Sequence, residues 1–330
     1  MRVEQRSWSE GSGWVSSGSR CDDAQLVLAF GATALVDQSA LWQDLRTAWP
    51  RAHIMACSTA GEIAGTQVTD DSLVATALRF ERSEVRCASV RLVEVSGSLE
   101  AGRELARRLE ARGLRHVFVL SDGLKVNGSE LVQGLAQSLP VAVAVTGGLS
   151  GDGSRFARTL VGLDGPPQSE CVVAVGFYGD GLRVGFGSLG GWDPFGPDRL
   201  VTKSRGAVLD ELDGQPALEL YKRYLGEYAK DLPASGLLFP LTVRQDDERG
   251  VVRTILAVDE ATQSLTFAGD VPEGARARLM RANFDRLVDG ASGAAKTCHD
   301  ALRGEAADLA ILISCVGRKL VLQQRIEEEV

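Results

Sequence analysis

Two stretches of the chain share the same order of hydrophobic and polar positions at a separation of 90 residues. Short apolar runs at 26–30 and 116–120 are each followed by small residues, which is typical of a buried strand that ends in a loop. An apolar stripe at helical spacing comes next in each copy. Its members are Leu41, Trp42, Leu45 and Trp49 before Pro50, and Leu131, Val132, Leu135 and Leu139 before Pro140. Because proline cannot continue a helix, the pattern predicts two helices that end at these prolines, the second capped by Asn127 with Glu130.

Each predicted helix is followed by a second strand and then by a turn of small residues. The second strands are expected at 53–57 and 141–146, and closing strands at 72–78 and 171–177. The turns are Ser58-Thr59-Ala60-Gly61-Glu62 and Gly148-Leu149-Ser150-Gly151-Asp152, in which a glycine and an acid coincide at the same offset. The shared stripe, proline and turn predict two full copies of one strand–helix–strand unit.

A third copy is predicted near the end of the chain. The apolar run 309–314 has the pattern of a buried strand, and a helix is expected at 323–330. The chain ends there, before a second strand or a glycine–acid turn, so the third unit is expected to be truncated. Three carboxylates at 327–329 would lie at a helix C-terminus, which favours cations, and this predicts a natural continuation.

The region between the second and third copies has a different residue pattern. A glycine- and proline-rich loop is predicted at 185–197, a strand at 200–203 and a turn at 213–215. Further elements are a helix at 217–225, a hairpin over 251–258 and 264–268, and a long helix over 275–300. The predicted fold is therefore α/β, with repeated strand–helix–strand units and an α+β C-terminal domain. The expected divisions are 1–20, an arm that is either mobile or held by Trp8 and Trp14, then 21–205, and then an incomplete domain at 206–330.

Composition limits the classes of partner and compartment. The net charge of −8 argues against nucleic acid, which needs a basic surface. Apolar runs are far shorter than the roughly 18 residues of a membrane span, and the first residues lack the apolar core of a secretory signal. The six cysteines form no CxxC motif and no regular framework, which is typical of free thiols in a reducing cytoplasm. We therefore expect a cytoplasmic protein that binds neither nucleic acid nor membrane.

Several motifs together resemble the FIST family of bacterial signal-transduction proteins. They are ACSTAGEI at 56–63, GGLSGDG at 147–153, GGWDPFGP at 190–197, ELDGQPA at 211–217, FAGDVPEG at 267–274 and SCVGR at 314–318. The resemblance implies a FIST N-type and a FIST C-type domain, with a further C-terminal segment in typical members. It also implies a sensory protein for a small ligand, coupled to a histidine kinase, a chemotaxis receptor or a cyclic-di-GMP enzyme. Some members of the family bind haem and sense nitric oxide.

The candidate ligand site combines the two turns with two aromatic residues. Ligands favour the carboxyl ends of strands in α/β sheets, glycines admit a ligand to the backbone, and a carboxylate can hold an ammonium group. The aromatic rings would form an apolar wall. The candidate residues are Ser58, Thr59, Gly61, Glu62, Gly148, Ser150, Gly151, Asp152, Trp192 and Phe195. The alternative is structural: the glycines form turns, the acids cap backbone, and the aromatics cover the core. If a ligand binds, an amino acid is a good candidate.

Two other functions remain as alternatives. A haem-based nitric-oxide sensor that regulates a histidine kinase would need an axial ligand, and His299 is the first candidate among His53, His116 and His299. An enzyme is less favoured, because the segment 147–151 does not have the spacing of a nucleophile elbow and no lysine completes a phosphate loop. The sequence shows no metal-ligand cluster. We expect a non-enzymatic sensor without a cofactor.

Overall fold

The computed structural model describes residues 1–245 and 250–330, which form twenty strands and seven α-helices. The strands are β1 (Arg2–Ser9), β2 (Gly13–Gly18), β3 (Leu26–Ala32), β4 (His53–Thr59), β5 (Glu62–Ala64), β6 (Gln67–Thr69), β7 (Ser72–Arg79), β8 (Glu84–Arg91), β9 (Leu114–Ser121), β10 (Ala144–Leu149), β11 (Val161–Leu163), β12 (Cys171–Tyr178), β13 (Trp192–Arg205), β14 (Val208–Leu212), β15 (Gln215–Pro216), β16 (Leu241–Arg244), β17 (Val251–Arg253), β18 (Ile255–Asp259), β19 (Ser264–Phe267) and β20 (Arg276–Ala282). The helices are α1 (Thr33–Val36), α2 (Ser39–Ala48), α3 (Ser98–Leu109), α4 (Gly128–Ser138), α5 (Ala217–Leu225), α6 (Phe284–Ala301) and α7 (Val316–Leu322). The chain is therefore a mixed α/β protein with several sheets.

Two sheets form the first part of the molecule. The first sheet has the order β11-β4-β3-β7-β1-β2, and the second has the order β10-β9-β12-β8. In each sheet a parallel pair, β3 with β4 or β9 with β10, is joined by an antiparallel strand, β7 or β12. The strands β4-β3-β7 of the first sheet therefore have the same order and directions as the strands β10-β9-β12 of the second.

The two sheets pack against each other, and helices cover their outer faces. One core cluster contains Leu28 and Met55 of the first sheet together with Phe118 and Val175 of the second. A separate cluster joins the outer face of the first sheet to α2, and another joins the second sheet to α3 and α4. Because both faces of the central strands are covered, those strands are apolar along most of their length rather than alternating.

The first twenty residues are part of the first sheet. Strand β1 pairs with β7 along its full length and with β2 in a hairpin. Trp8 and Trp14 pack against the outer core cluster, and Trp14 Nε1 donates a hydrogen bond to Asp44 Oδ2 at 3.0 Å. Of the two alternatives for this arm, the mobile one is wrong, because its backbone completes the edge of a sheet.

A third sheet, with the order β17-β16-β20-β13-β14-β19-β18, forms the second part of the molecule. Helix α5 packs on it through Leu218, Tyr221 and Leu225. The predicted loop at 185–197 is wrong at its end, because β13 already begins at Trp192 and pairs with β20. The long helix predicted over 275–300 is also wrong at its beginning. There β20 pairs with β13 and β16, and α6 starts only after Asn283, whose side chain accepts from Arg286 N.

The strand predicted at 309–314 is not formed, so the structure contains no counterpart there of β3 and β9. The segment has no regular secondary structure, and Ile311, Leu312 and Ile313 are more than 40% exposed. The helix predicted at 323–330 is a 3₁₀ helix, Gln323–Glu329, that follows α7. The strand predicted from residue 141 begins at Ala144, because Val141 lies in an exposed turn. Among the described residues, no helix combines the length and the apolar composition of a membrane span.

Candidate functional site

The two predicted glycine–acid turns lie side by side. The amide of Gly151 donates a hydrogen bond to the carbonyl of Ser58 at 2.9 Å. The Ser58 hydroxyl accepts from Leu160 N at 3.0 Å, and the Ser150 hydroxyl and amide both donate to the carbonyl of Ser121. Residues 58–62 and 148–152, here called the joined turns, are thus fixed to one another at the carboxyl ends of β4 and β10.

Glu62 is buried at the beginning of β5, and its carboxylate is fully engaged. Oε1 accepts from the Thr59 hydroxyl at 2.6 Å, and Oε2 accepts from the amide and the hydroxyl of Ser72 at 3.2 and 2.7 Å. Burial raises the pKa of Glu62, while the hydrogen bonds from Thr59 and Ser72 and the charge of Lys319 oppose the shift. The pKa of this carboxyl group therefore lies above its ordinary value of 4.5.

Asp152 is also buried and is used by the backbone of its own loop. Its carboxylate accepts from the amides of Phe156, Ala157 and Arg158 at 3.2, 2.8 and 2.9 Å. Both acids of the joined turns therefore shape loops, as the structural alternative expected. Contact with a ligand would have to share or replace these hydrogen bonds.

A segment from the end of the chain covers the joined turns. The Lys319 ammonium group on α7 donates to the carbonyl of Ala60 at 2.8 Å and pairs with Asp70. A methyl group placed on Gly61 would lie 2.3 Å from Lys319 Nζ, and one placed on Gly148 would lie 3.0 Å from the Ile313 side chain. The glycines therefore leave space for the C-terminal segment. Sequence reasoning missed Lys319 because its contact is made across about 250 residues, although it directly follows the motif at 314–318.

The two aromatic candidates belong to a different element. Trp192 and Phe195 lie in β13, where they pair with Ala282 and Leu279 of β20. Trp192 packs in the small core cluster that contains Val321 and Leu322 of α7, while Phe195 is partly exposed. The structure thus joins the eight turn residues and sets the aromatics on the third sheet, where Trp192 packs with the helix that carries Lys319.

The three histidines have separate environments. His299, the haem-ligand candidate, is exposed in the last turn of α6, next to exposed Asp300. His116 is buried, which lowers its pKa, and its Nε2 lies 2.8 Å from the Thr146 hydroxyl. His53 pairs with Asp164 at 2.6 Å. Within the described parts of the chain, no three His, Cys, Asp or Glu side chains are grouped as metal ligands.

Comparison with known proteins gives a family match along almost the whole chain. The FIST N domain matches residues 25–215, and the FIST C domain matches residues 217–330. An uncharacterized protein of Methanocaldococcus jannaschii is 24% identical over 303 residues, which is 84% of this chain. The chain spans 57% of the length of that relative.

Proposed function

The chain belongs to the FIST family of signal-transduction sensor domains, and on this premise we propose that it binds a small ligand at the joined turns. The observation that carries the proposal is the hydrogen bond from Gly151 N to Ser58 O, with Lys319 bonded to the neighbouring Ala60. It brings together loops at the carboxyl ends of two parallel strand pairs, where α/β proteins bind ligands.

The chemistry around the joined turns favours an amino acid. Lys319 supplies an ammonium group that could instead bind the carboxylate of a ligand. Glu62 and Asp152 are buried carboxyl groups that could accept from a ligand's ammonium group. A molecule that carries both groups matches both halves of the site.

Signalling would follow from competition for Lys319. A ligand changes a conformational equilibrium only when it binds the two states with different affinity. In the structure, Lys319 joins α7 to the turn at Ala60 and to Asp70. A ligand that engages Lys319 would favour a second arrangement of the C-terminal segment, which a partner protein would recognise.

The proposal also covers the partner protein, the compartment and the origin of the two similar units. The partner would be a histidine kinase, a chemotaxis receptor or a cyclic-di-GMP enzyme, in the cytoplasm, and the chain itself would carry out no reaction. We also propose that the sets β3-α2-β4-β7 and β9-α4-β10-β12 arose by duplication, because their strand order and directions agree. The duplicated units would then contribute one turn each to a common site.

A thermal-shift screen with the common amino acids tests the ligand. A ligand that binds only the folded protein at about 100 times its Kd should stabilise it by about 2.7 kcal/mol. Lys319→Met should weaken binding about tenfold or more, since a charge-assisted contact is lost. Lys296→Met, an exposed lysine on α6, is the matched control and should bind normally. The absence of any stabilising amino acid, or equal binding by both variants, would contradict the proposal.

A further inference from the structure

A second concave region lies at the opposite ends of the same strands. It has a volume of about 370 Å³, and its walls include Asp23, Arg51, His53, Arg79 and Glu84. These residues lie at or near the beginnings of β3, β4 and β8 and the end of β7. The region is therefore separate from the joined turns, which follow the carboxyl end of β4, and its volume is within the range of small-molecule sites.

The carboxylates in this concavity already have ion-pair partners, while its arginine side chains have fewer. Both oxygens of Asp23 accept from Arg2 at 2.7 Å, and Glu84 lies 2.9 Å from Arg86 Nε. Arg79 makes only a longer contact to Asp23, at 3.4 Å. No carboxylate in the described parts of the chain lies within 4.0 Å of the Arg51 guanidinium group. The walls thus offer two arginines with spare donors.

His53 adds a third donor when its imidazole is protonated, and its ring is held in a fixed orientation. Its Nδ1 lies 2.6 Å from Asp164 Oδ2, and because a carboxylate only accepts, Nδ1 carries the proton. Asp164 is itself fixed, since Oδ1 accepts from Arg46 and from Ile54 N, both at 2.9 Å. Its backbone has a φ of 56°, in the left-handed region. The Nε2 atom of His53 is then left for a ligand.

We propose that this concavity binds a small metabolite through an oxyanion group, either a phosphate or a carboxylate, held by Arg51, Arg79 and His53. Guanidinium groups match the geometry of both oxyanions, and a protonated imidazole adds a charged donor. The ion pairs of Asp23 and Glu84 reduce their repulsion of an anion. The site is independent of the joined turns and of the ligand proposed there.

Protonation of His53 should strengthen binding. The hydrogen bond that His53 donates to Asp164 raises the pKa of His53, while burial and the charge of Arg46 oppose the shift. The charged groups around the imidazole are Asp164, Arg46, Arg51, Arg79, Asp23 and Glu84. An anion would therefore bind more tightly below the raised pKa of His53 than above it.

Isothermal titration of the full chain with inorganic phosphate and with malonate at about pH 7, at constant ionic strength, tests the site. Arg51→Ala and Arg79→Ala should each weaken binding about tenfold or more. Arg112→Ala is the matched control, because Arg112 is an exposed arginine in a loop near β9. The effect of pH on binding is measured with sulfate, because its charge does not change between about pH 6 and pH 8. Its binding should be weaker at about pH 8 than at about pH 6, and His53→Gln should remove this difference.

Each result of the titrations decides for or against the proposal. Binding of phosphate alone identifies phosphorylated ligands, and binding of malonate alone identifies carboxylates. Either result, or binding of both anions, supports an oxyanion site. The proposal is overturned if neither anion binds saturably, or if Arg51→Ala and Arg112→Ala bind as tightly as the unaltered protein. Circular dichroism of each variant verifies that the fold is retained, and Arg51 is exposed, so its loss should not unfold the protein.

Discussion

The amide of Gly151 donates a hydrogen bond to the carbonyl of Ser58 at 2.9 Å, and this bond joins the loop after β10 of the second sheet to the carboxyl end of β4 in the first. A methyl group on Gly151 would lie 3.3 Å from Ala60 N, so the backbones approach each other with little space for a side chain. The joined turns therefore depend on glycine for their mutual contact, and the acids beside them keep the two loops in shape.

Gly147→Ala should destabilise the protein strongly. Gly147 lies in β10 with a φ of 148°, and an added methyl carbon would be 1.8 Å from the carbonyl oxygen of Val119 on β9. We expect a loss of roughly 2–5 kcal/mol in the free energy of unfolding, because the strands must separate locally. Urea denaturation measures it. Gly11→Ala, where no atom lies within 4 Å, is the control and should change stability by less than about 0.5 kcal/mol. Equal stability of the two variants would show that the β9–β10 contact is looser than described.

Glu62→Gln should also destabilise the fold, by a different mechanism. The Glu62 carboxylate accepts three hydrogen bonds, from Thr59 Oγ1, Ser72 N and Ser72 Oγ, whereas the amide nitrogen of glutamine cannot accept. We expect a loss of about 1–3 kcal/mol. Glu100→Gln, at an exposed ion pair on α3, should cost less than about 1 kcal/mol and serves as the control. If Glu62→Gln unfolds at the same urea concentration as Glu100→Gln, the buried carboxylate is not important for the loop.

Lys319→Met should loosen the C-terminal segment and change the titration of Glu62. The variant loses the hydrogen bond to Ala60 O and the ion pair with Asp70, for an expected cost of about 1–2 kcal/mol. It also removes a positive charge that opposes the raised pKa of Glu62, so that pKa should rise further. Because Glu62 binds its proton more tightly in the folded state, its contribution to stability falls as pH rises from its ordinary value of 4.5 through the raised pKa.

The measurement for Lys319→Met is the free energy of unfolding between about pH 4 and pH 8. The decline that is due to Glu62 should extend to higher pH in Lys319→Met than in the unaltered protein. Lys296→Met is again the control and should follow the unaltered protein. A decline at the same pH in both variants would mean that Lys319 does not act on Glu62.

Local patterns in the sequence predicted much of the fold. Helix α5 begins at Ala217 and ends at Leu225 as expected, and the Asn127 cap is formed, with its side chain accepting from Ser129 N and Glu130 N. Such signals act within one turn, so the chain's local order reveals them. The reciprocal bond of a capping box is not the one used, because the amide of Asn127 donates to the Ser98 hydroxyl on α3.

The errors come from interactions that are distant in sequence. The apolar run 309–314 has the composition of a strand, but it pairs with no strand in the described structure and remains partly exposed. The segment 276–282 is compatible with either helix or strand, and pairing with β13 selects the strand. Likewise, the turn residues of the candidate site were visible as motifs, whereas the contact of Lys319 with Ala60 depends on how the two parts of the molecule meet.

The pair formed by His53 and Asp164 should make stability depend on pH between about pH 6 and pH 9. The hydrogen bond that His53 donates to Asp164 raises the pKa of His53 above its ordinary value of 6.5. The resulting stabilisation is fully present below that ordinary value and is lost as pH rises through the raised pKa. Asp164→Asn removes the interaction, so its deficit in stability should be larger at about pH 6 than at about pH 9. Urea denaturation across this range measures the deficit, with His53→Gln as the comparison, because it has no group that titrates at this position. If the stability deficit of Asp164→Asn is the same at every pH, Asp164 does not raise the pKa of His53.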